Sequence, residues 1–193
     1  MVVLYKGEDG MKKSLKKEAL IQTATSLFYQ HGFHAVGVKN ILEQAQVASM
    51  TMYYHFQSKE ELIKEVLVRR EAKYLQLLEE KIDRKNGAGR YLDSLINAHI
   101  EWIDQEAANG CMFLRAKQEY SGVNEEIVTL STDHKKRLLA KIAADQAFFQ
   151  ASSSFSIEAV MILEGITSMA QVLDIETVKA TALMLAKKMQ LSS

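Results

Sequence analysis

Apolar positions recur at helical spacing along almost the whole chain. From Ser14 to Gln30, the residues Leu20, Ala24, Leu27 and Phe28 fall at i, i+4, i+7 and i+8, one stripe of a helix that His31 and Gly32 stop. Val38, Ile41, Leu42 and Ala45 line one face of a short second helix. Gln46 and Val47 make a tight corner, and a third short segment runs from Ala48 to Phe56 with Val47, Met52 and Phe56 facing inward. Ser58 stands three residues before Glu61, the spacing of a capping box. A long helix is therefore predicted from Lys59 to near Lys81, on a stripe of Ile63, Val66, Leu67, Tyr74, Leu77 and Leu78.

Residues 83–89 are the one interior break in composition. Beyond them, Leu92, Leu95, Ile96, His99, Trp102 and Ile103 predict a helix over Arg90–Ala108, stopped by Asn109 and Gly110. A shorter helix follows over Cys111–Tyr120. Asn124 then caps one that carries Ile127, Leu130, His134, Leu138 and Ile142. After a polar hinge at Ser152–Ser154 come two last helices, Ser156–Leu173 and Ile175–Leu191, parted only by Asp174. The first of these is apolar nearly all round, with Leu163, Ile166, Val172 and Leu173 adding to the stripe. A helix hydrophobic on every side must be covered on every side, and in a chain this short a second copy is the readiest cover. The expected homodimer interface is Ile157, Val160, Ile162, Met169, Val178, Leu185 and Met189, with two helices per protomer across a two-fold axis. Burial of both helices within one protomer is the alternative.

Composition sharpens the picture in four places. The chain lacks proline and shows no alternating strand pattern, so the predicted class is all-α, with about nine helices in all. A helical head over residues 12–58 precedes a larger domain over residues 59–193, whose first helix, residues 59–81, connects the two. Net charge is zero, yet residues 11–59 hold six lysines against two glutamates, so the head is locally basic and can meet phosphate. One cysteine excludes an internal disulfide framework. Residues 1–11 are expected to be a frayed tail, with no signal peptide and no membrane span, so the chain reads as soluble and cytoplasmic. Lys12, Lys13, Lys16 and Lys17 crowd a helix start, where positive charge is unfavourable unless an anion lies nearby. No metal-binding, phosphate-loop or nucleophile motif occurs, so no catalytic residue and no cofactor is predicted.

Two short helices across a tight turn, the second with Ser49, Met50, Thr51, Tyr53, Tyr54 and His55 on its outer side, describe a helix-turn-helix. Tyr53 and Tyr54 cannot share one helix face, so one of them must be exposed or at an interface. The segment from Gly32 to Ile63 resembles the DNA-binding head of the TetR family of bacterial transcriptional repressors. The likeness rests on Thr51-Met52-Tyr53, on Phe56, on Ser58 through Leu62, and on the preceding helix with Phe28 and Gly32. It covers residues 14–67.

The resemblance implies a three-helix head, a connecting helix and a larger domain that dimerises and binds an inducer. Carried over by position, Lys39 meets phosphate near the start of the second helix. Ser49, Met50, Thr51, Tyr54 and His55 face the major groove or its walls, and Tyr53 and Lys59 hold the DNA backbone. The sequence departs from the family at Gln46, where many members have glycine; at Val36 and Gly37, where threonine and serine are usual; and at Met50, which replaces a frequent glycine. The expected partners are a palindromic double-stranded operator, a second copy of the chain and a small apolar effector. The effector cavity is expected among Tyr74, His99, Trp102, Phe113, Tyr120 and Met161. Cys111, just after a helix stop, is read as a buried, inert thiol, with reactivity at a helix N-terminus as the alternative. The overall expectation is a ligand-released repressor. A helical-bundle binding protein or enzyme with a purely structural head is the competing reading.

Overall fold

A computed structural model describes the backbone of residues 6–191 and the side chains of residues 15–189. The first residues of the expected tail and the side chains of Lys12 and Lys13 lie outside that range. The described residues form nine α-helices and no strand: α1 (Lys6–His31), α2 (Val38–Ala45), α3 (Ser49–His55), α4 (Lys59–Lys81), α5 (Gly87–Trp102), α6 (Met112–Tyr120), α7 (Glu125–Asp145), α8 (Phe155–Met169) and α9 (Ile175–Leu191). A π-helical turn, Ile103–Ala107, extends α5, and a 3₁₀ turn, Gln146–Phe148, follows α7. None of these helices is long and apolar enough to cross a membrane.

The chain divides into two compact units, and the division differs from the expected boundary at residue 58. One unit runs through Arg69 and takes in residues 115–130; the other comprises residues 70–114 and 131–193. Helices α4, α6 and α7 are each shared between the two.

In the first unit, α1 starts at Lys6 rather than Ser14 and ends as predicted at Gly32, whose φ is +87°. Leu20, Phe28, Phe33, Val36, Ile41, Met52, Leu62 and Ile63 fill its core. The corner between α2 and α3 is a Schellman turn. The Val47 N–H donates to the Leu42 carbonyl at 3.1 Å and the Gln46 N–H to the Glu43 carbonyl at 3.3 Å. Gln46 occupies the left-handed position of that turn at φ 53°, the conformation for which its relatives' glycine is suited. Ser58 opens α4 by accepting the Glu61 N–H at 3.2 Å. Its reciprocal capping partner is absent, because the Glu61 carboxylate pairs with Lys64 at 2.6 Å instead.

In the second unit, α5 lies against α8 and α9, which also pack on each other. Tyr91, Leu92, Leu95, Ile96, Leu138, Ile142, Leu163 and Ala186 are its fully buried centre. Helix α5 begins at Gly87, earlier than Arg90, because the φ of +83° at Gly87 starts the turn there. Helix α8 stops at Met169 rather than Leu173, and Asp174 caps α9 by accepting the Thr177 N–H at 2.8 Å. One polar group lies inside: the Asp145 carboxylate accepts from Arg84 Nε at 2.8 Å and from the Tyr91 hydroxyl at 2.9 Å. Burial and that carboxylate push the Tyr91 phenol well above its ordinary range.

Candidate functional site

Three features of the described residues call for a partner: the outer face of α3, a cavity inside the second unit, and the apolar face of α8 and α9.

The local sequence turns α3 outward. Met52 is completely buried, with Val47 and Phe56 on either side of it, and these three anchors fix which way the seven-residue helix faces. The remaining positions are thereby presented to solvent. Met50 is 86% exposed, Tyr54 69% and Tyr53 54%, so both adjacent tyrosines are outside, where the sequence required only one. Ser49 is exposed, and Thr51 and His55 are half-buried. The Nε2 of His55 is a buried nitrogen without a hydrogen-bond partner. Neither α2 nor α3 has a side-chain N-cap: Gly37 and Ala48 hold those positions in extended backbone, leaving the first N–H groups to water or to an anion. Lys39, with its side chain 90% exposed, stands in the first turn of α2. Lys16 is also exposed, whereas Lys17 lies 3.7 Å from Glu65 and over the Phe56 ring.

Lys59 is placed differently from its expected role on the DNA backbone. Its ammonium donates to the Phe33 carbonyl at 2.6 Å, and burial pushes its pKa below the usual lysine value against the pull of Glu60 and Glu119.

The second unit encloses a cavity of about 30 Å³, room for one water molecule. Tyr74, His99, Trp102 and Phe113 line it as the sequence predicted. Tyr120 and Met161 do not. Tyr120 is buried in the first unit beside Phe33 and His34, its phenol pushed up to about 12 by burial and by Glu60 and Glu119. Met161 is 67% exposed on α8. Sequence periodicity alone does not say which face of α6 or α8 turns inward, and the local packing turned these two away.

Sequence reasoning missed the polar half of the lining: Arg70, Cys111, His134, Lys135, Glu164 and Thr167. These residues sit on four elements and share no local motif. Their one sequence signal is charge interrupting an otherwise apolar stripe.

His99 is bound at both ring nitrogens. The Thr167 hydroxyl donates to the Leu163 carbonyl at 3.0 Å, so it accepts from His99 Nε2–H at 2.9 Å. The Nδ1 of His99 must then be the acceptor for the Tyr74 hydroxyl at 2.8 Å. Burial, with Lys135 nearby, holds this imidazole neutral at about 3. His134 stacks on Phe113 at 3.6 Å and reaches Glu71 through Nδ1 at 3.0 Å; burial and Lys135 bring it down to about 4. Burial pulls the Lys135 ammonium down too, but Cys111 and Glu164 more than offset this, and Glu164 accepts its hydrogen bond at 2.5 Å. Cys111 is half-buried at the cavity wall, so the reading of a fully buried thiol is corrected.

The third feature is a groove of about 370 Å³ along α8 and α9, bordered by Met161, Ile162, Gly165, Met169, Leu173 and Leu185. Of the residues expected at a dimer interface, Ile157, Met169 and Leu185 are exposed, and Val160, Ile162 and Met189 are half-buried. Val178 is covered by its own protomer and reaches only the groove floor. Helix α8 is thus not buried all round: Ala159, Leu163 and Ile166 face inward, and the opposite side is open.

Comparison with known proteins bears on all three features. Residues 20–66 match the family of bacterial regulatory proteins of the tetR type. Over 115 residues the chain is 28% identical to the HTH-type transcriptional repressor NemR of Escherichia coli K12, covering 58% of this chain and 57% of that protein. Over 129 residues it is 27% identical to the HTH-type transcriptional regulator LuxR of Vibrio harveyi, covering 65% and 61%. The chain therefore aligns with less than two thirds of the length of these curated relatives. Among solved structures, a TetR-family transcriptional regulator from Streptomyces coelicolor superposes with a TM-score of 0.80 at 25% identity, over 91% of this chain and 94% of that one. The reduced form of Escherichia coli NemR superposes with a TM-score of 0.74 at 21% identity, over 90% and 96%, and shares the fold. The relatives are regulators of transcription rather than enzymes.

Proposed function

We propose that this chain, a member of the TetR family of transcriptional regulators, is a ligand-responsive repressor that binds a palindromic operator as a homodimer and leaves it when a small effector occupies the body. The observation that carries the DNA-binding half is α3, whose Ser49, Met50, Tyr53 and Tyr54 stand outside a fully packed core. A short helix of this kind lies in the major groove, where hydroxyls reach base edges and a methionine methyl meets a thymine methyl. The uncapped start of α2, with exposed Lys39 in its first turn, supplies N–H groups and charge for phosphate.

The groove along α8 and α9 supports the dimer. Its open apolar edge is complementary to a second copy of itself across a two-fold axis, and a dimer places two α3 helices on successive major-groove faces about 34 Å apart. For the effector, the cavity favours a small, mostly apolar molecule received by Trp102 and Phe113. The polar contact falls to Lys135 and Glu164, since both nitrogens of His99 are already engaged. A cavity of water size must open to admit it, so binding shifts the protein toward a second conformation, and affinity for operator and effector are coupled in both directions.

Selection of duplexes from a random DNA pool at two salt concentrations tests the reading. Enrichment of one palindrome that persists at the higher salt is expected. Recovery of only unrelated, salt-sensitive duplexes would leave phosphate attraction alone and refute it.

A further inference from the structure

The turn that launches the helix-turn-helix is gripped by side chains that the DNA-binding reading does not use. Gly32 closes α1, its N–H donating to the Phe28 carbonyl at 2.9 Å. The Glu119 carboxylate of α6 then accepts the Phe33 N–H at 3.1 Å through Oε1 and the His34 N–H at 2.6 Å through Oε2. On the other side of the same residue, Lys59 at the start of α4 donates to the Phe33 carbonyl at 2.6 Å. His34 returns a bond from Nε2–H to the Glu119 backbone carbonyl at 2.6 Å, and its ring lies 4.8 Å from that of Tyr120. A Cβ on Gly32 would stand 2.8 Å from Glu119 Oε1, so the carboxylate sits where only glycine leaves room. All of these residues belong to the unit around the head.

We propose that Glu119 is a positioning residue for DNA binding: with Lys59 it clamps the Phe33 backbone from opposite ends and sets the angle at which α2 and α3 leave the turn. Three residues, Ala35, Val36 and Gly37, separate this turn from α2. Val36 is buried, so backbone rotation at residues 33–34 is passed on rather than absorbed. Two N–H donors converging on one carboxylate form an anion-binding concavity, and bonds to an ionised group are the stronger class. The charges of Glu119 and Lys59 balance each other at the turn, which fits an ammonium held inside rather than offered to phosphate.

The inference rests on the operator-binding reading, and its test separates the two. Glu119→Ala and the near-isosteric Glu119→Gln are compared with the unaltered full-length chain in two measurements. The first is amide hydrogen exchange over residues 32–36, read by mass spectrometry without DNA. The second is affinity for the selected operator and for a scrambled duplex at one salt concentration.

Glu119→Ala is expected to speed exchange over residues 32–36 and to weaken operator binding at least about tenfold, the effect of losing one hydrogen bond to a charged group. Scrambled-duplex binding stays level or tightens, because a negative charge has been removed from the head. Glu119→Gln, which keeps one acceptor oxygen, falls between. A residue with a merely structural role would lower affinity for both duplexes together along with the thermal midpoint, and that result overturns the proposal. So does unchanged operator affinity, or unchanged exchange over residues 32–36. If Glu119→Ala does not fold, Glu119→Gln decides by the same two readings. If the unaltered chain selects no operator, the DNA-binding reading falls and this role with it, while the exchange result still reports whether the clamp exists.

Discussion

In the unit around the head, apolar side chains fill the inside, and the polar and aromatic residues of α3 stand outside. In the unit around α5, α8 and α9 the placement is turned round. His99, His134, Lys135, Glu164 and Thr167 gather about an internal cavity, while Met161, Met169, Leu173 and Leu185 face outward. Each inversion marks a different partner. Side chains that break the inside-outside rule on the surface await a macromolecule, DNA on one unit and a second apolar face on the other. Those that break it in the interior await a small molecule.

The outward apolar face carries the largest expected effect. Met161→Glu combined with Leu185→Glu puts four carboxylates into the interface of a dimer, and self-association is expected to weaken at least about thousandfold. Sedimentation equilibrium measures it, and a variant that sediments like the parent would mean that α8 and α9 are not the interface.

The inward polar groups are tested by pH. His99 and His134 are held at about 3 and about 4, below the ordinary 6.5. As pH falls through 6.5 the unfolded chain takes up protons that the folded chain refuses, so stability present at neutral pH is lost on acidification. At pH 5 the loss is about 2 kcal/mol for each histidine. Urea unfolding at neutral and mildly acidic pH measures this, and a midpoint that does not move would mean that these imidazoles are solvated.

On the head, Tyr54→Ala and Thr51→Ala are each expected to weaken operator binding by about 1–3 kcal/mol. The unfolding free energy should change by no more than about 0.5 kcal/mol, as for surface substitutions generally. A loss of stability matching the loss of affinity would make these side chains part of the core. The smallest effect belongs to the corner: Gln46→Gly relieves the left-handed backbone and is expected to stabilise the head by about 1 kcal/mol. Destabilisation would show that the Gln46 side chain has a role of its own.

The head was legible in the sequence nearly residue by residue. Its helices are short, each with few possible inward anchors, and stop signals at Gly32, Gln46 and Ser58 fix their ends. The outward positions of α3 followed from Met52 and Phe56 alone. The body was legible as helices but not as a site. Periodicity told that α5 had an inner face holding His99 and Trp102, and these two do meet in the cavity with Tyr74 and Phe113. It did not tell that α6 turns Phe113 toward the cavity and Tyr120 away from it. Nor did it show that Lys135 and Glu164, on separate helices, would be brought together as a buried pair. Long-range pairings such as Glu119 with Phe33 have no sequence signature, because the partners lie 86 residues apart.

The π-helical turn at Ile103–Ala107 bears on how such a cavity changes over generations. A turn of this kind holds one residue more than the α-helix around it would need. Deleting a single codon there would restore the regular ladder and swing whatever follows by about 100° relative to α5. Gly110 and Cys111 would be carried away from Trp102 while every cavity residue kept its identity. Point substitutions can only exchange one lining group for another. A gain or loss of length at this joint re-registers one side of the lining against the other in one event, and gives this chain a route to a new effector that leaves its DNA-reading half unaltered.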